Sequence, residues 1–336
     1  MDTQKIGAHS FLFANPPLLS YTGVVAGPKE GAGPLGADFD VVYEDNRLGE
    51  KSFERAERRM MEEACYIALG KGGLKTEDID LFLAGDLLNQ ITVSGFSALA
   101  MQIPFFGLYG ACSSFCESMA LGSVLLSGGF GERVLIATSS HNCSAERQFR
   151  YPTEYGFQRP GSAQWTVTGA AAAVLTAGGG EGLRITSATI GTVVDLGVKD
   201  TLNLGAAMAP AAASVLDLHF ADLQRQPTYY DLIVTGDLGQ VGMQLMLELT
   251  DRRGIALRDR YNDCGTMLYY PHQQVEAGGS GCACSAIVVL GHILARTDSG
   301  ALNRVLVVAT GALHSPTTSY QGENIPAIAY AVSLEK

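Results

Sequence analysis

The chain has 336 residues, with 23 Lys+Arg against 34 Asp+Glu, a formal net charge of −11 and 40 glycines. Hydrophobic residues make up 47% and charged residues only 17%, below the roughly 25% of ordinary soluble domains. That balance excludes disorder, and the acidic excess excludes a nucleic-acid backbone binder, which needs clustered Lys and Arg. The length fits one large domain or two medium ones. No run approaches the roughly 18 uninterrupted apolar residues of a membrane span. The first five residues lack the basic and apolar regions of a signal peptide. Seven cysteines, an odd number, fit free thiols in a reducing compartment. The expectation is a protein synthesised in the cytoplasm, with any membrane association peripheral.

The elements alternate between strands and helices. Residues 10–15 form a short apolar strand candidate, and 27–46, rich in Gly, Pro and Asp, an ordered surface loop. Residues 53–69 form an amphipathic helix, with Phe53, Ala56, Met60, Ala64 and Ile67 on one side and Glu54, Arg55, Arg58 and Glu62 on the other. Residues 81–84 read as a buried parallel strand ending in Gly85-Asp86. A mostly apolar helix over 113–126 and strands over 134–138 and 171–177 complete the first half. After Gly178-Gly179-Gly180 the pattern restarts. A β-rich run at 183–194 is followed by a helix at 212–224 and a strand at 232–235. A helix at 285–296 and strands at 305–310 and 327–334 follow.

The two halves resemble each other. Asp80 to Leu87 pairs with Asp231 to Leu238 at a constant offset, and each segment ends in Gly-Asp-Leu. Arg133-Val134-Leu135 pairs with Arg304-Val305-Leu306, and Ala111-Cys112-Ser113 with Ala283-Cys284-Ser285. Two homologous α/β halves, residues 1–180 and 181–336, are therefore expected.

Four places carry candidate chemistry. Cys112 sits at a turn that opens a helix, where the macrodipole and unpaired N–H groups favour a thiolate. It reads either as a nucleophile or as a small packing residue. The loop after the 134–138 strand holds His141, Arg147 and Arg150 beyond a strand's carboxyl end, where α/β folds place ligands. Arg147 and Arg150 share a helical face and suit a carboxylate-bearing anion, or else salt-bridge to Glu146 and Glu154. Asp86 and Asp237 lie at matching strand ends. With Asp263 they orient a histidine, cap a helix or meet a hard cation such as calcium. Residues 277–285, with Cys282 and Cys284, form a glycine-rich loop entering a helix and lack structural-zinc spacing. His272 and His314 are further candidate bases, whereas His219 and His292 read as structural.

The duplicated halves, the Gly110-Ala111-Cys112-Ser113 turn and the Gly279-Ser280-Gly281-Cys282-Ala283-Cys284-Ser285 segment resemble the thiolase and ketoacyl-synthase superfamily. This resemblance implies a five-layered α-β-α-β-α fold with two helix starts facing one pocket. A closer resemblance is to the stage V sporulation protein AD family of spore-forming bacteria. It is carried by Ala26-Gly27-Pro28-Lys29-Glu30, Gly33-Pro34-Leu35-Gly36, Leu83 to Gln90 and Ala137 to Asn142. It continues through Ala145 to Gly156, Met208 to Ala213 and Ala277 to Ala286.

The family resemblance implies a non-catalytic pocket that binds dipicolinic acid (pyridine-2,6-dicarboxylate), or its calcium chelate, for uptake into the developing spore. It implies no cofactor and no metal beyond calcium arriving with the ligand. The implied partners are other proteins of the spore-membrane transport system, at the periphery of the spore inner membrane, and a second copy of the chain. Cys112, Asp86 and His141 are the positions carried over by motif. Arg147 and Arg150 would hold carboxylates, Asp86 or Asp237 would meet calcium, and Cys282 stands near the place of a second-half catalytic residue. The alternative is a thiolase-like acyltransferase with Cys112 as nucleophile and His141, His272 or His314 as base.

Overall fold

The computed structural model describes residues 4–149 and 159–336. Ten of the described strands form two five-stranded sheets, which join edge to edge where Leu18 pairs with Arg184. Those of the first are β1 (Leu18–Ala26), β2 (Leu81–Gly85), β3 (Phe105–Gly107), β4 (Arg133–Ser140) and β5 (Gly169–Thr176). Those of the second are β6 (Arg184–Ile190), β7 (Leu232–Thr235), β8 (Tyr261–Asp263), β9 (Arg304–Ala312) and β10 (Ala327–Glu335). The first sheet runs β3-β2-β4-β5-β1 and the second β8-β7-β9-β10-β6, the same order strand for strand. β2 lies parallel to β3 and β4, and β7 lies parallel to β8 and β9. β5 and β10 run antiparallel to both of their neighbours.

Helices fill three layers around these sheets. α1 (Phe53–Lys71) and α2 (Thr92–Met101) cover the outer face of the first sheet. α3 (Ser114–Ser127) lies between the sheets and touches both, and α4 (Asn142–Phe149) follows β4. α5 (Leu204–Leu223) and α6 (Gly239–Arg252) cover the outer face of the second sheet. α7 (Cys282–Ile287) packs beside α3 in the central layer, and α8 (Pro316–Tyr320) is a short turn near the C-terminus. The five-layered α-β-α-β-α arrangement is thus present. Each layer boundary holds its own core. Phe115, Met119 and Ile287 fill the centre, Met60, Phe82 and Leu135 one side, and Leu216, Phe220 and Leu306 the other.

The duplication extends to single hydrogen bonds. Asp80 accepts from the backbone N–H of Glu132 and Arg133 at 2.7 and 2.9 Å, and Asp231 accepts from those of Asn303 and Arg304 at 2.8 and 2.9 Å. The glycine excess follows from layer spacing. A Cβ on Gly23 of β1 would come 2.1 Å from the Ala64 carbonyl oxygen of α1. The buried run Gly169-Ala170-Ala171-Ala172-Ala173 in β5 serves the same close approach.

Some elements differ from the sequence expectation. α5 begins at Leu204, ahead of the expected start at 212, and carries Pro210 inside it. Its first turns are small and apolar on most faces, so no periodic contrast marks them. It is long and apolar enough to cross a membrane by length and composition, yet 61% of that window is buried inside the protein. The helix expected over 285–296 runs from Cys282 to Asp298 and includes a π-helical stretch, Val288–Ile293. β1, α2 and α6 were not expected. α2 has weak amphipathic contrast, with Phe96 and Leu99 facing outward.

A buried polar chain ties the second sheet to α5. The His219 ring nitrogens hydrogen-bond to Thr189 Oγ1 at 2.7 Å and to Tyr230 Oη at 2.6 Å. Tyr230 Oη continues to Ser333 Oγ at 2.8 Å, and Arg225 joins Tyr230 to Glu335. His219 is structural, as its place on a helix indicated. Burial, and then the Arg225 charge, depress its pKa to about 3. The folded state therefore binds fewer protons than the unfolded chain between that value and about 6.5, and stability falls as pH drops through this window. His219→Gln should lower stability at pH 7 and flatten the pH dependence by roughly 1 kcal/mol per pH unit between pH 6 and 4. Urea melts of both proteins across that range test this; equal slopes would contradict it.

Candidate functional site

The carboxyl ends of β2, β4, β7 and β9 converge on the starts of α3 and α7. A cavity of about 640 Å³ opens there. Cys112 and Ser280 line its floor, and Asp86, Asn89, Gln148, Thr166 and His314 line its sides. Tyr109 and Tyr320, 62% and 80% exposed, stand at its rim.

Cys112 lies in the helical turn Ala111–Ser113 that leads into α3. Ala111 holds a left-handed φ of +50°. This strained conformation is clamped from the second half. A Cβ on Gly311 of β9 would come 2.0 Å from the Gly110 carbonyl oxygen, so only glycine leaves room for the turn. The Cys282 thiol donates to the Ala111 carbonyl oxygen at 2.9 Å.

The second half supplies the polar floor. Asp237 Oδ2 accepts from Ser280 Oγ at 2.7 Å and from Gly281 N–H at 3.2 Å, and Oδ1 accepts from Thr310 Oγ1 at 2.8 Å. Ser280 Oγ lies 3.9 Å from Cys112 Sγ. The helix start was expected to favour a thiolate at Cys112, but the balance runs the other way. Burial first, then the Asp237 charge and its hydrogen bond, push the thiol well above its ordinary value. Desolvation of a charge outweighs one helix end. Asp237 is itself raised by burial, so thiol and carboxylate share a reluctance to ionise.

A second carboxylate pair flanks the cavity. Asp86 accepts from Leu88 N–H at 2.9 Å and from Ser94 N–H and Oγ at 2.8 and 2.7 Å. Behind it, Glu57 of α1 accepts from Ser139 Oγ and Ser144 Oγ at 3.1 and 2.7 Å. Burial, then the Asp86 charge, push Glu57 up to about 8, and burial raises Asp86. Both carboxyls are thereby biased toward their protonated forms.

The other sequence candidates disperse. His141 follows β4, but its Nε2 hydrogen-bonds to the Asn46 carbonyl at 2.8 Å, its Nδ1 accepts from Cys143 N–H, and it does not line the cavity. Arg147 pairs with Glu54 at 2.5 Å and borders a separate surface groove. Glu146 pairs with Arg159 at 2.6 Å. Arg150 and Glu154 lie outside the described residues. Asp237 lies beneath the floor, and Cys282 stands behind the Ala111 turn. Asp263 caps the turn after β8 through Thr266 N–H and accepts from Leu238 and Gly239 N–H. His272 is exposed and stacks on Tyr270. Among the described residues, His314 is the one imidazole lining the cavity.

Ser280, Tyr109 and Tyr320 were not singled out. Ser280, between two glycines ahead of a helix, carried the only sequence signal of the three. The repeat register also shifts. Gly85 packs on Ser114 and Gly236 on Ser285, and the two helical segments start after Gly110 and Gly281. The geometric counterpart of Cys112 is therefore Ala283, one residue off the Ala-Cys-Ser match.

The sequence model of the family "Stage V sporulation protein AD" matches residues 7–335. The stage V sporulation protein AD of Bacillus subtilis (strain 168) is 50% identical over 330 residues, covering 98% of this chain and 97% of that protein. Among solved structures, OleA of Xanthomonas campestris has a TM-score of 0.62 at 15% identity, covering 97% of this chain and 99% of that one. The 3-oxoacyl-[acyl-carrier-protein] synthase III of Aquifex aeolicus VF5 has a TM-score of 0.59 at 13% identity, covering 95% of this chain and 100% of that one. These structural likenesses show the thiolase-like fold.

The thiol's environment sets an expected reactivity. At pH 8, alkylation of Cys112 by iodoacetamide, followed by peptide mass spectrometry, should run at least about tenfold slower than in the unfolded chain. Asp237→Asn removes the nearby negative charge and should speed it. Cys112 reacting fastest of the seven cysteines in the native protein would contradict this account.

Proposed function

Because this chain belongs to the stage V sporulation protein AD family, we propose that its cavity binds dipicolinic acid, free or as the calcium chelate, for uptake into the developing spore. The observation that carries this reading is a small-molecule cavity in which the Cys112 thiol lies buried against Ser280, with Asp237 behind it, a setting that pushes the thiol well above its ordinary value. A volume of about 640 Å³ suits a single small ligand. Acyl transfer needs a thiolate and a base to generate it. Burial and Asp237 oppose that thiolate, and of the three proposed bases only His314 lines the cavity. Binding is therefore favoured over covalent chemistry.

Within this reading, Cys112, Ser280 and Asp86 meet the polar end of the ligand. No Lys or Arg is among the described lining residues. A free dianion then depends on the proton held by Glu57 and Asp86. A calcium chelate instead favours their ionised form, with Asp86 facing the ion. Arg150 remains a candidate for the carboxylates, and Arg147 would first have to leave Glu54.

The same reading includes a homodimer and peripheral attachment at the spore inner membrane through other proteins of the transport system. The dimer is supported by the edge of the first sheet, which among the described residues pairs with no further strand. β3 is its terminal strand, and Phe106, Leu99 and Phe96 expose apolar surface on and beside it. Such an edge calls for a cover.

Calorimetry with dipicolinate, with and without calcium, should give saturable binding that benzoate does not match. Asp86→Asn should alter it more than Cys112→Ala. Free dipicolinate should bind more tightly as pH falls from 8 to 6, since protonation of the Glu57–Asp86 pair removes negative charge. The calcium chelate should show the opposite trend. Absence of binding in both arms would overturn the reading. Sedimentation velocity should show a dimer that Phe106→Lys converts to monomer; an unchanged sedimentation coefficient would remove β3 from the interface.

A further inference from the structure

The cavity has two kinds of lining. Cys112 and Ser280 form its polar floor with Asp86 at its side, and four flat rings also line it: Tyr109, Phe149, His314 and Tyr320. Each half contributes two. Tyr109 follows β3 and Phe149 ends α4, while His314 follows β9 and Tyr320 ends α8. Phe149 and His314 already contact each other across the halves, with ring centroids 5.4 Å apart and planes tilted by 46°. Tyr109 and Tyr320 are among the most exposed aromatic residues described, and both border the cavity.

Exposed aromatic faces at a cavity rim carry unsatisfied stacking surface. Saturated chains fill such a space without using the rings' orientation. A flat ring uses it, because offset stacking and edge contacts need planar partners. We infer that Tyr109, Tyr320 and the Phe149–His314 pair form an aromatic clamp that selects a planar ring with its polar groups on one edge. This inference rests on the dipicolinate reading and deepens it. Pyridine-2,6-dicarboxylate has that shape, with both carboxylates and the ring nitrogen on the edge that would face the polar floor. The four rings are then specificity-determining residues, separate from the groups that meet the carboxylates.

The test compares two ligands of equal charge, pyridine-2,6-dicarboxylate and cis-tetrahydropyran-2,6-dicarboxylate, whose ring is puckered. Binding to the full-length protein is measured by equilibrium dialysis, with and without calcium. The wild-type protein should prefer the flat ring by about tenfold or more. Tyr320→Leu, Tyr109→Leu and Phe149→Leu keep apolar bulk but remove the flat face. Each should weaken the flat ligand about five- to tenfold and leave the puckered one within about twofold. Tyr320→Phe should restore the preference. A merely structural role would weaken both ligands together and leave their ratio unchanged. A wild-type protein that binds both ligands equally, or Leu variants that keep the ratio, would overturn the clamp and leave the dipicolinate reading standing. A wild-type protein that binds neither overturns both.

Discussion

The close approach of the two central helix starts is the constraint on which the rest of the molecule depends. Gly110 meets Gly311, and the carbonyl of Ala111 accepts a hydrogen bond from the Cys282 thiol. Thr138 Oγ1 donates to the Cys282 carbonyl at 3.1 Å, and Ser140 Oγ accepts from Ala283 N–H at 3.2 Å. These contacts tie the end of β4 to the start of α7 and the end of β9 to the start of α3. They are possible only because the residues involved are small. The same contacts place Cys112 and Ser280 side by side and leave the cavity above them.

Burial then governs the chemistry of that floor. A helix start offers positive potential, but buried carboxylates stand near it: Asp237 acts on Cys112, Asp263 lies beside Asp237, and Asp86 and Glu57 lie by the Cys282 thiol. Each accepts hydrogen bonds from hydroxyl or backbone donors, which satisfies its oxygens without supplying a counter-charge. Desolvation consequently raises all four and the Cys112 thiol with them. Asp86, which lines the cavity, and the Cys112 thiol are in this way biased toward their neutral forms. That is a better setting for capturing a small polar ligand than for generating a thiolate.

Identical strand orders in the two sheets have diverged in what they carry. The matched aspartates Asp80 and Asp231 make the same pair of backbone contacts in each half. Asp86 and Asp237, six residues further on, do not. Each bonds within its own half, but the first binds Ser94 and borders the cavity, while the second binds Ser280 and Thr310 beneath the floor. Repetition built the scaffold, and asymmetry at the strand ends built the site.

The sequence alone determined the layered α/β class, the duplication and most buried strands, because continuous apolar runs bounded by Gly-Asp and Arg-Val signals are local properties. It also marked Cys112, Asp86 and His314 as candidates, since each follows a strand or opens a helix. It did not mark α2 or the first turns of α5, whose apolar residues face several directions and lack periodic contrast. Only the tertiary structure decided which polar groups meet. It turned His141 toward the Asn46 carbonyl and Arg147 toward Glu54, and brought Ser280, Tyr109 and Tyr320 to one cavity from distant segments. It also decided the protonation of Cys112. Desolvation and the Asp237 field depend on what surrounds the thiol in space, and chain position reveals only the helix end beneath it.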